Sequence, residues 1–142
     1  METKKQENIK YRKAYLTDTS FALELSDIFT ANAGFLLENI VLLELYRHRL
    51  EQQYDLFYYK KSVEVDFVIY KNRKASALIQ VCYDISNEKT LKREIRALVE
   101  ASKELQAEQL LILTYDDTRT IEIDNLRIEV KPVYVWILEN NA

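Results

Sequence analysis

At 142 residues, with 48% hydrophobic and 30% charged side chains, the chain has the size and composition of one soluble globular domain. Its single Cys excludes an internal disulfide framework and fits a reducing, cytoplasmic setting, and no apolar run is long enough to span a bilayer. A net charge of −3 excludes a strongly basic surface, so any nucleic-acid site must be a local patch.

The first eight residues are polar, with no apolar core of a secretory signal, and read as a disordered tail ahead of a single domain over residues 9–142. Ile9–Leu16 is compatible with a short strand, and Thr17-Asp18-Thr19-Ser20 breaks it and can cap a helix over Phe21–Phe29. Ala31–Leu50 is the longest helical stretch. Ile40, Val41, Leu43, Leu45, Tyr46 and Leu50 leave it few polar faces, so burial on more than one side is expected. Its Arg47-His48-Arg49 cluster reads as a solvated, dipole-complementing end, with His48 at the surface.

Asp55–Lys61 reads as a strand leading into a second, Val63–Tyr70. Lys71–Ser76 then connects to a third, Ala77–Asp84. Strand alternation places Val63, Val65, Phe67 and Ile69 on one face, with Glu64 and Asp66 on the other. On the third strand Gln80 and Cys82 oppose Ile79, Val81 and Tyr83. An acid inside an apolar strand is costly unless paired or metal-bound, so Asp66 needs a reason. Ser86 or Asn87 can cap a helix over Lys89–Gln106, whose inward stripe is Leu91, Ile95, Leu98, Val99, Ser102 and Leu105. Lys89, Lys92, Arg93 and Arg96 form a second, basic stripe, tempered by Glu94 and Glu100.

Gln109–Thr114 is nearly all apolar, the pattern of a central strand covered on both faces and reached by a parallel crossover. Thr120–Ile123 and Arg127–Val130 form a hairpin around Asp124-Asn125. Pro132 breaks the ladder, and Val133–Leu138 returns to the body with Trp136 in the core. With one Gly and one Pro in the whole chain, turns fall to Asn, Asp and Ser. No repeat, low-complexity segment or second domain is visible.

A strand carrying Asp66, a hairpin, and a strand carrying Gln80-x-Cys82 resemble the core of the PD-(D/E)XK nuclease superfamily, the restriction-endonuclease-like fold. More closely, the chain resembles a C-terminal domain of unknown function found on prokaryotic AAA-type ATPases. The matching stretches are Lys13–Asp18, Gly34–Asn39, Glu64–Phe67, Ile79–Tyr83 and Arg93-Glu94, in the family's order. The resemblance implies an α/β fold, a restriction-endonuclease-like mixed β-sheet flanked by helices. It also implies an ATPase domain fused upstream. The chain itself lacks a Gly-x-x-x-x-Gly-Lys-Ser/Thr motif and so carries no ATP site of that kind.

In an active member of that superfamily, acids at the positions of Glu38, Asp66 and Gln80, with the Val81 carbonyl, would hold Mg²⁺ for phosphodiester cleavage. Here Gln80 brings no charge, and Cys82 stands where a Lys ammonium is expected; a neutral thiol cannot replace it. Lys60, on the adjoining strand, is a candidate substitute. Glu38 either joins the site or bonds a neighbouring segment. Lys92, Arg93 and Arg96 are candidate DNA-phosphate contacts, with a solvated helix face as the plainer reading. Cys82 and His48 carry no thiol-protease signature, and one Cys with one His cannot build a structural zinc site. The expected function is a catalytically degenerate nuclease-fold accessory domain acting in DNA binding or interaction. The alternatives are an active Mg²⁺-dependent DNA nuclease and a protein-interaction module with no nucleic-acid role.

Overall fold

A computed structural model describes residues 33–142. The expected tail, the strand over Ile9–Leu16, the helix over Phe21–Phe29 and the Lys13–Asp18 stretch lie outside the described residues. In chain order the elements are α1 (Ala33–Gln52), β1 (Asp55–Lys60), β2 (Glu64–Lys71), β3 (Lys74–Val81), α2 (Glu88–Leu105), β4 (Gln109–Thr114), β5 (Arg119–Ile123), β6 (Leu126–Pro132) and α3 (Val133–Asn140). The six strands form one mixed sheet in the order β1-β2-β3-β4-β6-β5. The β1/β2, β2/β3 and β5/β6 pairs are antiparallel, and β3/β4 and β4/β6 are parallel.

Each sheet face has its own core. Leu98, Ala97 and Ala101 of α2 pack with Val65, Val68, Leu78, Leu110 and Ile112. On the other face Leu37, Val41, Leu42 and Leu45 of α1, with Val133 and Trp136 of α3, pack with Phe67, Ile79, Leu111 and Leu113. The alternation within β4 explains its continuous apolar run: Leu110 and Ile112 serve one core, Leu111 and Leu113 the other. The expected inward stripe of α2 is present, and Ala97 and Ala101 are buried beside it.

Four expectations are corrected. Val63 and Val65 pack towards α2 while Phe67 and Ile69 pack towards α1, so these four do not share a face. The cause is a β-bulge. Phe57 pairs with Val68 and Tyr59 with Val65, so Asp66 and Phe67 together oppose Tyr58 and the alternation shifts by one. The β2–β3 connection is not six residues long but a two-residue turn, Asn72-Arg73, with φ of 55° and 64°. Pro132 does not break the ladder: it pairs with Thr114 as the last residue of β6 and then precedes the first turn of α3. Finally, the expected burial of α1 on more than one side fails from Ile40 onwards, where Ile40, Leu43, Tyr46 and Leu50 stand exposed.

The basic end of α1 is also not merely solvated. Buried Glu44 accepts from Arg47 at 2.7 Å and from Asn141 Nδ2 at 2.9 Å, and stands 3.0 Å from His48 Nε2. Arg47 also donates to Asn141 Oδ1, so one carboxylate ties the chain's last turn to α1. His48 is thereby mostly buried rather than at the surface. Tyr54 donates to the Leu45 carbonyl at 2.5 Å, and burial, aided by the Glu44 charge, pushes its phenol up to about 12.

Among the described residues, six adopt left-handed backbone, and none is Gly: Gln53, Asn72, Arg73, Gln106, Asp124 and Asn125. Asn and Asp tolerate this region, whereas a Cβ on Arg or Gln is strained there. Arg73→Gly is expected to raise stability by about 0.5–1 kcal/mol, seen as a melting temperature a few degrees higher in scanning calorimetry. An unchanged or lower melting temperature would show that the Arg73 side chain stabilises the turn by other means.

Candidate functional site

The paired backbone of β2 and β3 ends at Phe67–Ile79. Beyond that point side chains take over. Gln80 Oε1 accepts the Asp66 N–H at 2.9 Å, and Gln80 Nε2 donates to the Glu64 carbonyl at 3.0 Å. Asp66 Oδ2 in turn accepts the Val81 N–H at 2.8 Å. The bulge creates the need for this arrangement. It turns the start of β2 out of register, and a long amide and a carboxylate satisfy backbone groups that a regular ladder would have paired. Gln80 is buried, with only 3% of its surface exposed, and Asp66 is half-buried.

Around this clamp lies a cleft of about 650 Å³ at the carboxyl end of β3. The N-terminal part of α1 contributes Gly34 and Glu38, and the β1–β2 connection contributes Ser62 and Val63. The strands contribute Glu64, Asp66, Gln80 and Val81, followed by Cys82 and Tyr83, and α2 contributes Arg93, Glu94, Arg96 and Ala97. Thus Glu38, Asp66, Gln80, Val81, Cys82, Arg93 and Arg96, separated widely in sequence, line one cleft. Lys92 does not line it; its ammonium stands 4.0 Å from Glu88 on the outer face of α2. Lys60 does not line it either, and lies 3.7 Å from Glu64.

Four carboxylates against two guanidinium groups make the cleft acidic. Both guanidinium groups also have acids of their own helix beside them: Arg93 lies 3.4 Å from Glu94, and Arg96 Nε 3.0 Å from Glu100. Ser62 also donates to Glu100, whose carboxyl is held below its usual range first by the Arg96 bond. Glu64, Glu94 and Tyr83 are cleft residues that strand and helix patterns did not single out. All three sit inside the family stretches Glu64–Phe67, Arg93-Glu94 and Ile79–Tyr83, the signal that marks them. Tyr83 stacks on Tyr115 with ring centroids 4.9 Å apart and 20° between planes.

Cys82 donates its thiol to the Asp84 carbonyl at 3.4 Å. Burial, then the nearby Glu94 charge, pushes the thiol up to about 11. At neutral pH the group is therefore a protonated thiol, neither a cation nor a nucleophile.

A hard divalent cation such as Mg²⁺ seeks about six oxygen ligands in a regular octahedron. Among the described residues, no group of three His, Cys, Asp or Glu side chains stands close enough to hold a metal. Both ends of the Gln80 amide and one Asp66 oxygen are committed to backbone partners. As they are placed, the described side chains do not form such a ligand set.

Two expectations follow from this geometry. Gln80→Glu removes the donor to the Glu64 carbonyl and sets a second carboxylate beside Asp66. A loss of about 1–3 kcal/mol in denaturant unfolding is expected near neutral pH. The introduced carboxyl would have a raised pKa when folded. The loss should therefore shrink at low pH and grow as pH rises through that pKa, and a pH-independent loss would contradict the clamp. Alkylation of Cys82 by iodoacetamide should stay slow up to about pH 10 and accelerate above it, and rapid reaction at pH 8 would contradict the raised thiol pKa.

A family model described as "Domain of unknown function (DUF4143)" matches residues 33–136, which reach from the start of α1 to Trp136 of α3 and include the whole sheet and cleft. "Uncharacterized protein MJ1544" from Methanocaldococcus jannaschii is 40% identical over 141 residues, covering 94% of this chain and 31% of that protein. The chain thus spans about a third of the length of this curated relative. With most of its length matched, the chain belongs to the DUF4143 family.

Proposed function

We propose that this domain is a catalytically degenerate, restriction-endonuclease-like module of a prokaryotic AAA-type ATPase, serving by interaction rather than by cleavage. The observation that carries the reading is the clamp. The side chains at the two central ligand positions, Asp66 and Gln80, are engaged in holding β2 to β3. Cys82 supplies a protonated thiol where the resemblance calls for an ammonium. A carrier protein larger than the domain is supported by the relative's length, of which the aligned part is about a third.

Of the two partners the sequence leaves open, DNA and protein, the charge distribution favours protein. Lys92, Arg93 and Arg96 each have an acid of α2 beside them, and the cleft wall is net negative. Phosphate binding draws on cations that are free to replace counterions, and few are offered here.

Incubation of the protein with supercoiled plasmid and Mg²⁺ or Mn²⁺ should give no cleavage above that of Asp66→Ala. Cleavage lost on that substitution would establish the nuclease alternative. DNA affinity should be weak and change little between low and physiological salt, whereas tight binding with a steep salt slope would move the reading to a DNA partner.

A further inference from the structure

We infer that the outer face of α1 and α3 is a self-association surface, taking a second copy of this chain. The inference relies on the interaction reading for its biological role. Eight large hydrophobic residues are exposed among the described residues, and six of them lie on these two helices. On α1 they are Ile40 (41%), Leu43 (41%), Tyr46 (56%) and Leu50 (77%), and on α3 Tyr134 (60%) and Leu138 (68%). The spacing on α1 puts them on one side of the helix, and Tyr134 and Leu138 are one turn apart. Arg47 and Glu44 bond to Asn141, holding α3 beside α1 so that the two stripes belong to one layer.

Six large apolar residues exposed at 41–77% on two adjoining helices make a face of the kind that marks an interaction surface rather than scattered apolar residues. The rim favours a copy of the same chain. Arg47, Glu51 and Glu139 bring both charge signs to one patch, with exposed side chains on Arg47 and Glu51. A two-fold contact sets a patch against itself, so basic and acidic rim residues can meet across it without a single-sign clash. The candidate cleft involves the other end of α1, at Gly34 and Glu38, so the contact leaves it open.

Sedimentation velocity with the 142-residue chain tests this. A mass of twice 16.9 kDa is expected at micromolar concentration. Leu50→Glu combined with Leu138→Glu should raise the dimer dissociation constant at least tenfold (about 1.4 kcal/mol or more) while leaving the circular dichroism unchanged. Ile123→Glu, at an exposed apolar site on β5, should leave the dimer intact. Independently of any variant, amide exchange in residues 40–50 and 134–138 of the wild-type chain should slow as concentration rises. A wild-type monomer throughout the range, a dimer that survives the double substitution, or one that Ile123→Glu dissociates would overturn the inference. None of these outcomes bears on the plasmid assay, so failure here and failure of the non-catalytic reading are separable.

Discussion

The cross-strand clamp between Asp66 and Gln80 is the constraint from which the rest of the site follows. β2 must pair with β1 on one side and β3 on the other, yet it carries one residue more than β1 between Tyr59 and Phe57. An extra residue in a strand leaves backbone groups without ladder partners, and buried groups of that kind cost roughly 1–3 kcal/mol each. Gln80 meets both needs at once because an amide donates from one end and accepts at the other. No carboxylate at this place could do so while ionised. Asp66 completes the exchange by accepting from Val81, a charge-assisted bond of the stronger kind.

This division of labour bears directly on chemistry. A metal-dependent nuclease needs carboxylate oxygens held ready for the ion and a cation near the scissile group. In this chain Gln80 carries a neutral amide and Cys82 a neutral thiol, and their polar atoms bond to the protein's own backbone. The nearest guanidinium groups, on α2, already have carboxylates beside them. What remains is an acidic cleft of about 650 Å³ with the β2–β3 junction in its wall.

Much of the fold was readable before any coordinates. β4 matches its expected limits, since six residues flanked by polar ones admit little else. Cys82 packs on one core and Ile79, Val81 and Tyr83 on the other, as alternation requires, although β3 itself ends at Val81 rather than at Asp84. The face assignment in β2 failed for a local reason. Val63 to Phe67 alternate, but Phe67-Val68-Ile69 is an unbroken apolar run that fits either register, so the residues alone do not place the bulge. The turn at Asn72-Arg73 was hidden because Arg rarely takes left-handed backbone, so six polar residues read as a loop. His48 was misplaced because its partner, Glu44, is fixed by Asn141, 97 residues away. The gathering of Glu38, Asp66, Gln80 and Cys82 around one cleft came from family resemblance. Pattern alone could place Asp66 beside a polar strand, but not beside a residue of α1.

α1 connects these observations. A helix covering a sheet ordinarily needs a single apolar stripe, and Leu37, Val41, Leu42 and Leu45 supply it here. The exposed apolar residues Ile40, Leu43, Tyr46 and Leu50 take no part in the core formed by the described residues. They are not spread evenly, since the exposed ones run from Ile40 to Leu50 and the cleft residues stop at Glu38. One helix thus separates two surfaces of opposite character: an acidic, walled cleft at its start and an open apolar face along its second half. Buried Glu44, fixed by Arg47, His48 and Asn141, lies within the stretch that bears the apolar face and ties the end of α3 to it. Removing that carboxylate would strip Asn141 of an anchor and free the last turn of α3, altering the outer face first. The cleft would respond only through the packing of Val41 and Leu37 on Ile79 and Phe67, the residues next to the clamp.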